Sequence, residues 1–129
     1  MKKKSHKMGH ERLKDSFKFA FEGVAFAFKN EQNMRIHCVI TILVIAAGFF
    51  FRISVDEWLF ILIMIGLVLG TELINTSIEA AIDLLTSEIH PLAKVAKDTA
   101  SAAVFVLAGV AFVGGLIIFI PKILLTLGI

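Results

Sequence analysis

The sequence predicts an all-α integral membrane protein: an N-terminal amphipathic surface helix followed by three transmembrane helices gathered into a bundle. Three observations predict it. Hydrophobic residues make up 57% of the 129-residue chain and the mean hydropathy is +0.85, outside the range of ordinary soluble domains. Three apolar segments are each long enough to cross a hydrocarbon core about 30 Å thick at about 1.5 Å of rise per helical residue. Ahead of them, a charged stretch carries apolar residues at helical spacing.

The chain reads as one domain over 1–129. Residues 1–10, MKKKSHKMGH, form a basic tail whose His6 and His10 lack ligand spacing. Residues 11–30 form the surface helix. There Leu13, Phe17, Ala20, Phe21, Val24 and Phe28 share one face, while Lys14, Lys18, Glu22 and Lys29 occupy others, the pattern of a helix lying in the membrane interface. The stretch KNEQNMR breaks that periodicity and sets Glu31 where the chain must turn into the bilayer, beside Arg35.

Membrane helices are expected over 34–55, 57–85 and 92–121. The first is interrupted by His37 and, near its end, by Arg52. It contains Cys38, the chain's single cysteine, which excludes an intrachain disulfide. The first 35 residues lack a short apolar core with a small-residue cleavage site, so the first span is expected to be retained. Trp58 is an aromatic anchor at the outer interface. Pro91 suits the first turn of the last helix, where its missing N–H needs no partner, with His90 as a loop or cap residue. Pro121 is expected to mark the end of that helix.

Positive charge resists translocation. Nine of the thirteen Lys and Arg residues precede the first span, Lys94 and Lys97 lie between the second and third, and Arg52 and Lys122 lie on the opposite side. The N-terminus and the loop over 86–98 are therefore expected on the cytoplasmic side. A net charge of +2 is too small to point to nucleic acid. The basic excess matches anionic lipid headgroups.

The segment GTELINTSIEAAIDLL, Gly70 to Leu85, carries the chemistry. At about 100° per residue, Glu72, Asn75, Glu79 and Asp83 share a stripe about 80° wide. Gly66, Gly70, Ser77 and Ala81 form a small-residue stripe nearly opposite, with a GxxxG pair that favours close helix approach. The second span thus has two faces unsuited to lipid, and self-association is expected. A charged side chain at the bilayer centre costs about 2.5 to 3.5 kcal/mol, so such a set of acids is seldom incidental. Glu72 and Glu79 are separated by about 10 Å along the axis: Glu72 lies at depth, Glu79 near the cytoplasmic boundary and Asp83 beyond it.

The segment AKDTASAAV adds Lys97, Asp98 and Ser101 at the cytoplasmic start of the third span. Carboxylates able to hold Mg²⁺, a lysine able to neutralise phosphate and an acid able to accept a hydroxyl proton are the parts that phosphoryl transfer requires. No P-loop, GxGxxG or protein-kinase loop occurs, so a nucleotide site must be built differently. A cation-coupled membrane transporter is the alternative from another class, since intramembrane acids also mark ion pathways. A non-enzymatic scaffold using the GxxxG face is a third.

ELINTSIEAAID resembles the ExxNxxxExxxD signature of the small prokaryotic diacylglycerol kinase family, which includes the undecaprenol kinases of Gram-positive bacteria, and AKDTASAAV resembles that family's AKDxxSAAV segment. The likeness runs from about Arg12 through the third span. It implies a homotrimer in the bacterial cytoplasmic membrane, with active sites formed between subunits on the cytoplasmic side. It further implies ATP as phosphoryl donor, Mg²⁺ as cofactor and a lipid alcohol as acceptor.

Carried over by position, Glu72 matches the proton acceptor at the lipid hydroxyl, and Glu31 and Glu79 match Mg²⁺ ligands that also contact ATP. Lys97 and Asp98 match nucleotide-binding positions, and Glu88, Ile89 and His90 match a further nucleotide-contacting turn. Asn75 and Asp83 match essential polar positions, and Arg12 and Ser101 match positions near lipid and nucleotide. Phe19 stands where enterobacterial members carry a nucleotide-proximal Tyr, so stacking would survive there and a hydroxyl-dependent role would not. HPLAKVAKD and IFIPKIL look more like the undecaprenol kinase branch, with diacylglycerol as the alternative acceptor.

Overall fold

The computed structural model describes residues 8–129, which form four helices in chain order: α1 (Gly9–Asn30), α2 (Gln32–Phe50), α3 (Val55–Leu85) and α4 (Pro91–Thr126). The last three are each long and apolar enough to cross a membrane. α3 is the centre of the arrangement, packing against α1, α2 and α4, whereas α1 and α4 do not pack on each other.

Of the basic tail expected over 1–10, residues 1–7 lie outside the described residues, and Gly9 and His10 already belong to α1. Glu11 in its first turn and Lys29 in its last complement the helix dipole. Within the chain only Ala27 is buried, and Phe17, Phe19, Phe21, Phe26 and Phe28 are exposed. Glu31 is a one-residue joint between α1 and α2, its backbone extended at φ −108°, ψ 117°. Its N–H still bonds to the Ala27 carbonyl at 2.8 Å. Arg35 reaches back from α2 to donate to the carbonyls of Phe28 (3.1 Å) and Lys29 (2.9 Å), satisfying acceptors that the end of a helix leaves unpaired. One guanidinium therefore fixes the angle at which the surface helix meets the first span.

The helix expected over 34–55 stops at Phe50. Arg52 adopts φ 50°, a conformation that a helix cannot accommodate, and Ser54 then opens α3 two residues earlier than expected. Ser54 and Glu57 form a capping box: Glu57 N–H donates to Ser54 Oγ at 3.2 Å and Ser54 N–H to Glu57 Oε2 at 2.8 Å. Two orphan donors are thereby satisfied reciprocally. Gly48 makes this corner possible, because a Cβ there would stand 2.6 Å from the Trp58 ring. Trp58 in turn lies against Phe49, ring centroids 4.9 Å apart. Ser54→Ala is expected to destabilise the fold by about 1 kcal/mol, read as a lower denaturation midpoint in detergent. An unchanged midpoint would show that the cap contributes nothing.

α4 begins as expected with Pro91 in its first turn and His90 as N-cap, Nδ1 accepting from Leu92 N–H at 3.1 Å. Its end differs. Pro121 lies inside the helix, which continues to Thr126 instead of closing at 121. Proline deprives one upstream carbonyl of its partner, but Ile123, Leu124 and Leu125 keep the chain apolar, and in a membrane helix such a break is tolerated. The continuation sets Lys122 Nζ 2.8 Å from Glu57 Oε1, tying the two helices together at the end remote from the loop over 86–90. Near that end Ile53, Ile61 and Ile118 form the small apolar core.

Candidate active site

The buried face of α3 decides where the polar groups lie. Ile61, Met64, Val68, Glu72, Asn75 and Thr76 are its buried residues, one helical stripe in which apolar side chains give way to polar ones toward the C-terminal end of the helix. Exposure then rises along the predicted row: Glu72 is 1% exposed, Asn75 5%, Glu79 half-buried and Asp83 exposed. The small-residue stripe behaves differently. A Cβ at Gly66 or Gly70 would meet no atom within 4 Å, so at these two positions that face has no partner among the described residues.

Among the described residues Glu72 is the largest fully buried side chain. Neither of its carboxylate oxygens has a hydrogen-bond partner, and Asn75 Oδ1 lacks one as well. The Asn75 amide donates instead to Glu79 Oε1 at 3.4 Å, and the Thr76 hydroxyl donates to the Glu72 carbonyl at 3.0 Å. From α2, His37 Nε2 stands 3.9 Å from Glu72 Oε2. Glu31 and Glu79 are near enough for their charges to act on Glu72. Three carboxylates from the α1–α2 joint and α3 therefore share one region.

A second polar cluster lies at the α3–α4 connection. A cleft there is lined by Asp83, Thr86, Glu88, His90, Lys97 and Asp98, with Lys94 and Ile89 also on its wall. Lys97 Nζ pairs with Asp83 Oδ1 at 2.5 Å, and Lys94 pairs with Asp98 one turn away. Thr86 Oγ1 accepts from Glu88 N–H at 3.1 Å, which shapes the turn into His90. Ile89 is fully exposed. Glu79 bridges the two regions, bonded to Asn75 on one side and acting electrostatically on Lys97 on the other.

The predicted residues are thus gathered unevenly. Glu31, Glu72, Asn75 and Glu79 form one group, and Asp83, Glu88, Ile89, His90, Lys97 and Asp98 form the adjoining one. Arg12 and Phe19 stand on the exposed side of α1, which does not pack on α4, and Ser101 is exposed on α4. The single chain does not bring Arg12 or Phe19 to the polar groups of α4, whereas Ser101 stands one turn beyond Lys97 on the same helix. Sequence reasoning missed His37, Lys94 and Thr86. His37 could have been found as the imidazole that interrupts the apolar first span, and Lys94 by its place one turn from Asp98.

The family model described as prokaryotic diacylglycerol kinase matches residues 18–119. The undecaprenol kinase of Bacillus subtilis is 39% identical over 95% of this chain and the whole of that protein. A diacylglycerol kinase of Haemophilus influenzae is 35% identical over 86% of this chain and 96% of that protein. One from Synechocystis is 34% identical over 84% of this chain and 63% of its own length. Family match and relatives together place the chain: it belongs to the prokaryotic diacylglycerol kinase family.

Proposed function

We propose that the protein is a membrane lipid kinase that transfers the γ-phosphoryl group of ATP to the hydroxyl of undecaprenol, forming undecaprenyl phosphate. The observation that carries the reading is the buried carboxylate of Glu72, without a hydrogen-bond partner, on the helix whose C-terminal end borders a cleft lined with lysines. In the transfer, the acceptor's O–H proton goes to Glu72 as its oxygen bonds to the γ-phosphorus. The bond from that phosphorus to the β-phosphate bridge breaks, and ADP leaves with the electron pair. Lys97 neutralises phosphate charge. The turn from Glu88 to His90 and Asp98 hold the nucleotide, and Phe19 stacks on it. Arg12 and Ser101 contact substrate. Asn75 holds Glu79 by the bond described above, and Asp83 holds Lys97 until phosphate takes its place.

The donor set suits Mg²⁺. Among the described residues no three His, Cys, Asp or Glu side chains converge into a metal cage, but Mg²⁺ is ordinarily held by one or two carboxylates together with substrate phosphates and water. Glu31 and Glu79 fit that role. When bound there the ion would supply charge neutralisation on the phosphates. Residues far apart in the single chain, Arg12 and Phe19 on α1 and Lys97 and Asp98 on α4, are reunited if sites form between subunits. The open Gly66 and Gly70 face supports self-association, read here as a homotrimer with its sites on the cytoplasmic side of a bacterial inner membrane.

Similarity to the undecaprenol kinase over its whole length favours undecaprenol. The other two relatives keep diacylglycerol, with phosphatidic acid as product, as the second reading. All three are named kinases, which leaves the transporter reading without support. The test offers undecaprenol and diacylglycerol in competition in mixed micelles with Mg-ATP. Undecaprenyl phosphate is expected to dominate, whereas an excess of phosphatidic acid would reverse the assignment of acceptor.

A further inference from the structure

The surroundings of Glu72 leave its carboxylate without an anchor. A buried carboxylate normally accepts hydrogen bonds, because an unpaired one bears its full desolvation cost. Glu72's neighbours on its own helix are engaged elsewhere, the Asn75 amide with Glu79 and the Thr76 hydroxyl with a backbone carbonyl. His37 is different. It enters from α2, is only 18% exposed, and points Nε2 to within 3.9 Å of Glu72 Oε2. It also lines an apolar cleft between α2, α3 and α4, with Ile40, Val44, Met64, Val68 and Ala111 among the walls. The imidazole thus separates hydrocarbon from the carboxylate, where the head of a lipid alcohol must arrive.

We propose that His37 is a positioning residue for Glu72: Nε2–H donates to one carboxylate oxygen and leaves the other turned toward the acceptor hydroxyl. A separation of 3.9 Å exceeds hydrogen-bond length, and catalytic hydrogen bonds of this kind shorten when reactants bind. The anchor comes from α2, so it also couples the orientation of Glu72 to the joint that carries Glu31.

The inference rests on Glu72 as proton acceptor, so Glu72→Gln is assayed beside the His37 variants. His37→Leu is expected to lower kcat about tenfold or more at unchanged KM for Mg-ATP. His37→Gln keeps an N–H at the reach of Nε2 and is expected to stay within about threefold of the parent. In a Glu72→Gln background, His37→Leu is expected to add no further loss, as coupled groups behave in a double-mutant cycle. Parent kcat in His37→Leu would overturn the role, as would equal losses in the Leu and Gln variants at the parent's thermal midpoint. If His37→Leu fails to assemble, His37→Gln against the shorter His37→Asn decides, since equal kcat in those two also overturns it. A fully active Glu72→Gln would instead remove the reading beneath the inference.

Discussion

Glu72→Gln is expected to lower kcat by about 10³-fold, within the range that a positioned acid or base contributes to proton transfer. The fold should survive it. Glu72 makes no side-chain hydrogen bond, so an amide of the same shape breaks none, and it removes a buried carboxylate that lacks partners. KM for Mg-ATP is expected to change little, because Lys97, Asp98 and the turn from Glu88 to His90 belong to the adjoining region. Normal turnover in an assembled variant would exclude Glu72 as proton acceptor. A collapse of the fold without loss of activity per folded molecule would give it a structural role instead.

Glu79→Gln is expected to act differently and nearly as strongly. Glu79 accepts from the Asn75 amide and lies within electrostatic reach of both Glu72 and Lys97, so it stands where a phosphate-bound ion would bridge the two clusters. Partners one shell removed from a metal are worth about 10- to 100-fold, and loss of a direct ligand is expected to exceed about 100-fold at a fixed, low Mg²⁺ concentration. Raising Mg²⁺ is expected to recover part of that loss in Glu79→Gln and none of it in Glu72→Gln. Equal Mg²⁺ response in both variants would contradict the division of labour between the two acids.

Much of this arrangement was legible in the chain because it rests on local periodicity. The three long apolar segments, the shared phase of Glu72, Asn75, Glu79 and Asp83, and Pro91 at a helix start all follow from rise and angle per residue. The Ser54 to Glu57 capping box was equally legible, as an S-x-x-E signature, yet hydropathy carried the expected first span past it to residue 55. What could not be read depends on neighbours distant in sequence or on a single dihedral. Arg52's positive φ ends α2 early, and the apolar residues after Pro121 carry α4 onward to the ion pair between Lys122 and Glu57. The approach of His37 to Glu72 joins residues on different helices and appears only once α2 packs on α3.

Resemblance supplied roles that geometry alone would not have assigned. Lys97 and Asp83 form an ion pair in the chain itself, which by pattern reads as a surface contact of little energetic weight. As a phosphate site, the same lysine must exchange a carboxylate for a nucleotide. Arg12 and Phe19 show the opposite case: the resemblance implies substrate and nucleotide roles for them, while the single chain holds them on a helix that does not pack on α4. The proposed site, completed by a second copy, would reconcile the two.

Phosphoryl transfer to a lipid alcohol is tested most directly by following γ-labelled ATP with the purified protein in mixed micelles, with and without undecaprenol. The account predicts label in the lipid product and ADP formed in equal amount, both abolished by omitting the alcohol and both reduced about 10³-fold in Glu72→Gln. ADP formed at the same rate without any lipid alcohol, or no labelled product from either undecaprenol or diacylglycerol, would contradict it.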